Sequence, residues 1–379
     1  MNSTMKLDIA TSADNPAILE FYNAFPIKGV LELKVDRRGD FFAPYAVESD
    51  RFRCYLLKDE HEQIQGMASF IIKDVMIEEE VRTVAFGRDL RISNNRRAII
   101  EWADHFVPTL EDLKATYGVQ HFFSALNMTE SAALNTFVRP RHLKRALPRY
   151  FNYRRFNLVS VHGRFPWAKN PLPHMQIRNG SSVNADALIY YLSKKNRNRN
   201  LATYWDSYSF FKQLHRWRGL RIEDFLIAFD RHNNIVGCCA PWKSDGLQEL
   251  IPLDYSLKAH NFRQFLKFGK IFGWTRNLTK PAYRLQLEET LQFQYLTHLY
   301  AENEDVFESL LWAAFDRARS NDFLVYLQTR EEILYKSPLS WVCARIPHGL
   351  YCMVPPEQNA PAFLSPSNDT PVSLEGFFI

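Results

Sequence analysis

Arginine interleaved with aromatic rings is the first chemistry visible in the sequence. From Arg139 to Arg221 the chain places eighteen Lys and Arg against two acids, Asp186 and Asp206. That is a local charge of about +16 in a chain whose total is only +5. Between Glu130 and Asp186 there is no acid at all, and rings alternate with guanidinium groups in Arg149-Tyr150-Phe151, Tyr153-Arg154-Arg155-Phe156 and Arg164-Phe165-Pro166-Trp167. Guanidinium forks pair with phosphates and carboxylates through two parallel hydrogen bonds. The belt is therefore expected to meet an anionic small-molecule ligand, and the plain alternative is a solvated charged seam. Nucleic acid is disfavoured, because no RNP, KH or helix-turn-helix pattern accompanies the charge and the rest of the chain is acidic.

The thiols point to less. Cys54, Cys238, Cys239, Cys343 and Cys352 are an odd number with no CxxC pair, so neither a disulfide framework nor a metal site is signalled. Cys238 and Cys239 adjoin in a strand-like run that sends their side chains to opposite faces. Nothing near them in sequence would lower a thiol pKa. Buried reduced thiols in a cytoplasmic protein are expected. The first residues, Met1 to Lys6, lack the apolar run of a signal peptide, and no window of eighteen apolar residues predicts a membrane span.

The elements that must position these residues occur twice. Hydrophobic content of 46% with 23% charged residues is globular, and 379 residues suit two domains. The first half predicts a strand at Lys6–Thr11 and a helix opened by Ser12-Ala13-Asp14-Asn15-Pro16. A hairpin follows from Arg53 to Ile72, then a strand from Val81 to Ile92. A helix from Asn95 to His105 is expected to break or kink at Pro108. A strand at Gln120–Leu126 and a short helix at Glu130–Val138 complete this half. The second half repeats the order, with a helix at Asn184–Lys194, a hairpin from Phe225 to Pro241, a strand at Gln292–Tyr300, an amphipathic helix at Glu304–Arg319, and a strand at Phe323–Gln328. A last hairpin is predicted from Trp341–Arg345 and Leu350–Val354. Phe165 to Pro173 reads as a stiff linker, and Ser244 to Lys280 as an insert carrying a basic, aromatic helix at Leu257–Phe272.

This order, with Gly87-Arg88-Asp89-Leu90-Arg91-Ile92-Ser93-Asn94-Asn95-Arg96-Arg97-Ala98 at its centre, resembles the GNAT acyl-CoA N-acyltransferase superfamily. The resemblance implies an α/β (α+β) fold of two GNAT-like domains, each a mixed, mostly antiparallel twisted sheet flanked by helices. Their expected bounds are 1–165 and 174–356, the second with its insert at about 244–280, followed by a loose tail at 357–379. It implies acetyl-CoA or another acyl-CoA as co-substrate. Leu90, Arg91 and Ile92 would lie along the pantetheine arm, and Asn94, Asn95, Arg96, Arg97 and Ala98 would hold the pyrophosphate at a helix N-terminus.

The same resemblance assigns Asp89 as a carboxylate that deprotonates an amine, His298 as the comparable group of the second half, and Tyr335, in Leu334-Tyr335, as a general acid. The plain alternatives are an Asp89 paired with Arg88 or Arg91, a structural His298, and a core-packing Tyr335. The sequence departs from the family pattern in both halves. The first loop has no glycine, and Phe137 stands where a catalytic tyrosine is frequent. The second loop, Ala301-Glu302-Asn303-Glu304-Asp305, carries three carboxylates that would repel a phosphate, so the donor is expected on the first half. The implied function is acyl transfer, acetyl-like, to an amine of an unidentified acceptor. The alternative is a catalytically inactive tandem GNAT-fold protein holding a nucleotide or other anion in its basic interdomain region.

Overall fold

Unbroken apolar runs such as Cys54-Tyr55-Leu56-Leu57 and Leu226-Ile227-Ala228-Phe229 need cover on both faces of a sheet. They receive it. The computed structural model describes residues 5–130, 134–138, 147–172, 175–244, 246–282, 289–330, 332–365 and 368–374. Within them one mixed sheet runs through the protein. Its strands are β1 (Lys6–Ile9), β3 (Phe52–Lys58), β4 (Ile64–Ile77), β5 (Glu80–Ile92), β6 (His121–Asn127), β7 (Arg149–Arg164), β8 (Gln176–Asn179), β9 (Leu226–Phe229), β10 (Ile235–Trp242), β12 (Phe293–Ala301), β13 (Phe323–Thr329) and β14 (Trp341–Val354). A separate pair joins β2 (Leu31–Asp36) to β11 (Glu249–Tyr255), one strand from each half.

In the first half, α3 (Arg96–Tyr117) covers one face with Trp102, Phe106, Leu110 and Leu113. α1 (Asn15–Asn23) and α2 (Ala43–Glu48) cover the other with Ile18, Tyr22 and Tyr45. In the second half α4 (Ala185–Arg197) and α5 (Ser207–Arg216) lie on one face. The insert adds α6 (Leu257–Ile271) there, and α7 (Glu304–Arg317) covers the opposite face.

The strand order is β1-β3-β4-β5-β6-β14-β7-β13-β12-β10-β9-β8, which reads alike from either end. Each half contains one parallel neighbour pair, β5 with β6 and β12 with β13. The closing strands are exchanged: β7, from the first half, pairs with β13, while β14, from the second, pairs with β6. β7 and β14 then pair with each other along their lengths and close the sheet at its centre.

Three expectations are corrected. Pro108 does not end its helix, because α3 continues to a left-handed cap at Gly118. Burying Leu110 and Leu113 together with Trp102 and Phe106, at about 1.5–3 kcal/mol each, outweighs the roughly 3 kcal/mol cost of an internal proline. The last hairpin is one continuous strand, β14, since it has a partner on each edge. The tail is docked where it is described. Phe363 is buried against Phe123 and Tyr153. Asn200 N–H donates to Pro371 O at 2.8 Å, and Ser373 N–H to Asn200 O at 2.9 Å. The short helix expected at 130–138 appears as a π-helical turn at Leu134–Val138, and residues 131–133 of it lie outside the described residues.

Candidate functional site

The two parallel pairs are short. β5 and β6 are in register only from Val84 and His121 to Gly87 and Ser124. β12 and β13 hold only from Phe293 and Phe323 to Tyr295 and Val325. Just beyond each pair sits a left-handed residue, Asp89 with φ 51° and His298 with φ 49°. At both places one residue of the antiparallel neighbour faces two: Ala68 faces Asp89 and Leu90, and Cys239 faces His298 and Leu299. A bulge of this kind bends its strand and re-aims its backbone. A non-glycine residue at such φ costs about 1–2 kcal/mol, so its recurrence at the equivalent place in both halves marks a built feature. Each half thus has a V-shaped cleft where its parallel strands part.

Asp89 faces α1 and α2. Arg37 Nη2 donates to its Oδ2 at 2.6 Å, Tyr22 Oη to its Oδ1 at 3.0 Å, and Tyr45 Oη also donates to Oδ2. The Arg37 guanidinium lies over the rings of Tyr22, Phe41 and Tyr45, 4.3–4.8 Å from their centroids. Burial pushes the Asp89 carboxyl up, but the Arg37 and Arg91 charges and the Tyr45 hydrogen bond outweigh it and hold the carboxyl well below its ordinary value. A carboxylate that is fully ionised, with both oxygens already accepting, is a weak proton acceptor near neutrality. Its ion-pair partner is Arg37, not the Arg88 or Arg91 that sequence proximity suggested. Tyr22, Arg37 and Tyr45 were missed, and only Tyr22 had a local signal, its place four residues after Ile18 on the buried face of α1.

His298 and Tyr335 come together, and Asp89 is not with them. Both line one cavity of about 50 Å³ with Arg199, Glu332 and the tail residues Ser373 and Leu374. The His298 ring is buried among Trp205, Phe210, Trp217 and Phe225. Its Nδ1 is 3.1 Å from Thr297 Oγ1, which itself donates to Ala240 O at 2.9 Å. Tyr335 lies in the core on α7, edge-on to Phe307, and its hydroxyl accepts from Ala301 N–H at 3.3 Å. Burial pushes that hydroxyl up to about 12. The phenol therefore occupies the inner edge of the second cleft.

The first cleft differs. Ser93 N–H donates to Gln65 O at 2.8 Å toward β4. Strand alternation then turns the N–H groups of Ile92 and Leu90 to the opposite edge, toward β6. Ile92 is the equivalent of Ala301, but Phe137, packed on Tyr150 at 5.5 Å, brings no hydroxyl to it. β5 leads into the N-terminus of α3, where Asn95 Oδ1 caps the Arg97 amide at 2.9 Å. Asn94, Arg96 and Arg97 are exposed there, Ala98 is buried, and no acid lies in the first turn. The first turn of α7 holds Glu304 and Asp305 instead. Arg91 folds back on its own strand, donating to Leu90 O at 3.0 Å.

The described members of the basic belt do not converge on one place. Arg164 pairs with Asp316 at 2.7 Å and lies over Trp312, Arg199 pairs with Glu332, and Lys212 and Arg216 pair with Asp50. Arg154 ties down the tail by donating to Thr370 O at 3.1 Å. Arg139, Arg141, Lys144 and Arg145 lie outside the described residues. All five cysteines are free, and burial pushes the thiol of Cys239 up to about 12.

No family model matches the sequence, and no curated protein does. Solved structures do match its fold. The glucosamine N-acetyltransferase region of a fungal multi-domain β-N-acetylglucosaminidase superposes with a TM-score of 0.54 at 10% identity, over 93% of this chain and 38% of that one. Saccharomyces cerevisiae N-myristoyltransferase with bound myristoyl-CoA gives 0.52 at 8% identity, over 93% and 83%. A GCN5-related N-acetyltransferase from Sphaerobacter thermophilus gives 0.48 at 10% identity, over 92% and 95%. The chain has the GNAT fold in tandem, arranged as in the yeast enzyme.

Proposed function

We propose that this protein is an N-acyltransferase that takes an acyl group from a CoA thioester, bound in the first-half cleft, and passes it to an amine in the cytoplasm. The observation that carries this reading is the contrast between the clefts. Among the described residues the first has Phe137 in place of a phenol and opens on a helix start bearing Arg96 and Arg97. In the second the Tyr335 hydroxyl takes the Ala301 amide, and the helix start carries Glu304 and Asp305. A helix N-terminus without acids attracts a pyrophosphate, and two exposed guanidinium groups add charge-assisted hydrogen bonds.

In this reaction the neutral amine nitrogen attacks the thioester carbonyl, the carbon–sulfur bond breaks, and the leaving thiolate takes up, through solvent water, the proton that the nitrogen loses, so that the products are the amide and free CoA thiol. The cleft-edge amides of Leu90 and Ile92 are available to polarise the carbonyl. Asp89, with its oxygens engaged, keeps the bulge in shape, and the amine reacts in its neutral form. Titration calorimetry with acetyl-CoA and longer acyl-CoAs tests the donor. Binding is expected, and R96A/R97A is expected to weaken it about ten- to a hundredfold. No binding to any acyl-CoA, or unchanged affinity in the double variant, defeats the proposal. The occupied Asp89 and the missing hydroxyl at Phe137 favour a second reading, a donor-binding protein without turnover. Thiol release in the presence of amines separates the two.

A further inference from the structure

From Asp254 to Glu288 the chain has no acid between the two, and Lys258, Arg263, Lys267, Lys270, Arg276 and Lys280 fall in that interval. α6 lies in its first half. The buried face of this helix is narrow: Ala259, Leu266 and Gly269. It is also tightly seated. A Cβ on Gly269 would lie 2.6 Å from the Thr275 hydroxyl, which itself donates to Leu266 O at 2.6 Å. Arg164 N–H donates to Trp274 O at 2.9 Å, and Arg276 N–H to His162 O at 2.7 Å, so the segment after α6 is bound to the end of β7.

The outward face of the C-terminal half of this fixed helix is apolar, while Asn261 and Gln264 are exposed nearer its start. Leu257, Phe265, Phe268, Ile271 and Phe272 are exposed, Ile271 to 76% and Phe268 to 58%. The surface continues past the helix. Trp167, 65% exposed, stacks on Phe165 at 4.5 Å, and Phe165 approaches Phe265 at 6.5 Å. Phe268 meets Phe272 at 5.2 Å, and Phe272 stacks on Trp274 at 4.9 Å. Exposed Lys258, Lys267 and Lys270 stand beside these rings. A contiguous apolar surface of this extent is an interaction site.

We propose that α6 and Trp167 dock the protein on an anionic phospholipid surface, with the rings at the acyl boundary and the lysines on the headgroups. Aromatic and aliphatic side chains on one face of a helix, flanked by cations and free of acids, match the polarity profile of a membrane interface. A second copy of the chain fits less well, because a twofold pairing would bring two acid-free, lysine-bearing helices together. No described helix is long and apolar enough to cross a membrane, so α6 would lie on the surface.

The test is co-sedimentation of the full chain with vesicles of phosphatidylcholine alone or with roughly 30% phosphatidylserine. Partition is expected to be about tenfold higher on the anionic vesicles and to fall in high salt. F268E/I271E is expected to lower partition about tenfold or more on the anionic vesicles, and K267E/K270E to do the same. All four positions are exposed, so thermal midpoints and acyl-CoA affinity should be unchanged. Absence of partition by the unaltered protein overturns the proposal. So does equal partition on both vesicle types, or a dimer in sedimentation velocity that F268E/I271E dissolves.

Discussion

Replacing Asp89 by Asn distinguishes a carboxylate that does chemistry from one that holds the fold. Asn is nearly isosteric and tolerates left-handed φ almost as well as Asp, so the change removes the charge and leaves the bulge unstrained. The Arg37 side chain is only 3% exposed and loses its ion-pair partner, while Tyr22 and Tyr45 keep a weaker acceptor. Breaking a buried pair by removing one member costs about 3–5 kcal/mol. At roughly 2 °C per kcal/mol for a chain of this size, the thermal midpoint should fall by about 6–10 °C. Scanning calorimetry on D89N, R37M and R37M/D89N reads this directly. In the R37M background the stranded charge is the Asp89 carboxylate itself, so D89N should there cost nothing or recover part of the loss. A D89N midpoint within about 2 °C of the parent, combined with lost turnover, would refute the clamp and restore Asp89 as a base.

Further expectations concern the second half and the centre of the sheet. Y335F strands the buried Ala301 amide and should cost about 1 kcal/mol in urea unfolding, given the long 3.3 Å bond. Lost turnover with unchanged stability would instead make the phenol an acid. Burial pushes His162 down to about 3, below the 6.5 of an unfolded histidine. Between those values the unfolded chain binds the extra proton, so stability is full above pH 6.5 and falls as pH drops. The slope is about 1.4 kcal/mol per unit for this group. Urea midpoints at pH 7 and pH 5 should show the fall, and H162F should flatten it. G163A would place a Cβ 2.2 Å from Trp274 O, so a loss of about 3 kcal/mol is expected, with faster amide exchange at 274–276.

What the sequence by itself determined is local. Alternating and continuous apolar runs, capping residues and turn residues locate β3, β4, β5, β9, β10, α4, α6 and α7 to within a few residues, because burial of one face governs each segment. The repeated order, and the match of Asp89 with His298 across it, are legible for the same reason, since both sit near the end of a strand, six and five residues before the helix caps Asn95 and Asn303. The contrast between the acid-free start of α3 and the acidic start of α7 also needs no structure.

Only the tertiary structure decided which strands close each half, because the pairing of β7 with β13 and of β14 with β6 joins segments far apart in the chain with no turn between them to set the register. Only it could supply Arg37 as the partner of Asp89, fifty-two residues away, since an ion pair formed in space leaves no spacing in sequence. The belt from Arg139 to Arg221 shows the limit most plainly. Contiguous in sequence, its described members point along different strands and helices, and their charges meet separate partners. By contrast, the basic and apolar residues of α6 stay together in the fold, because a single helix carries them.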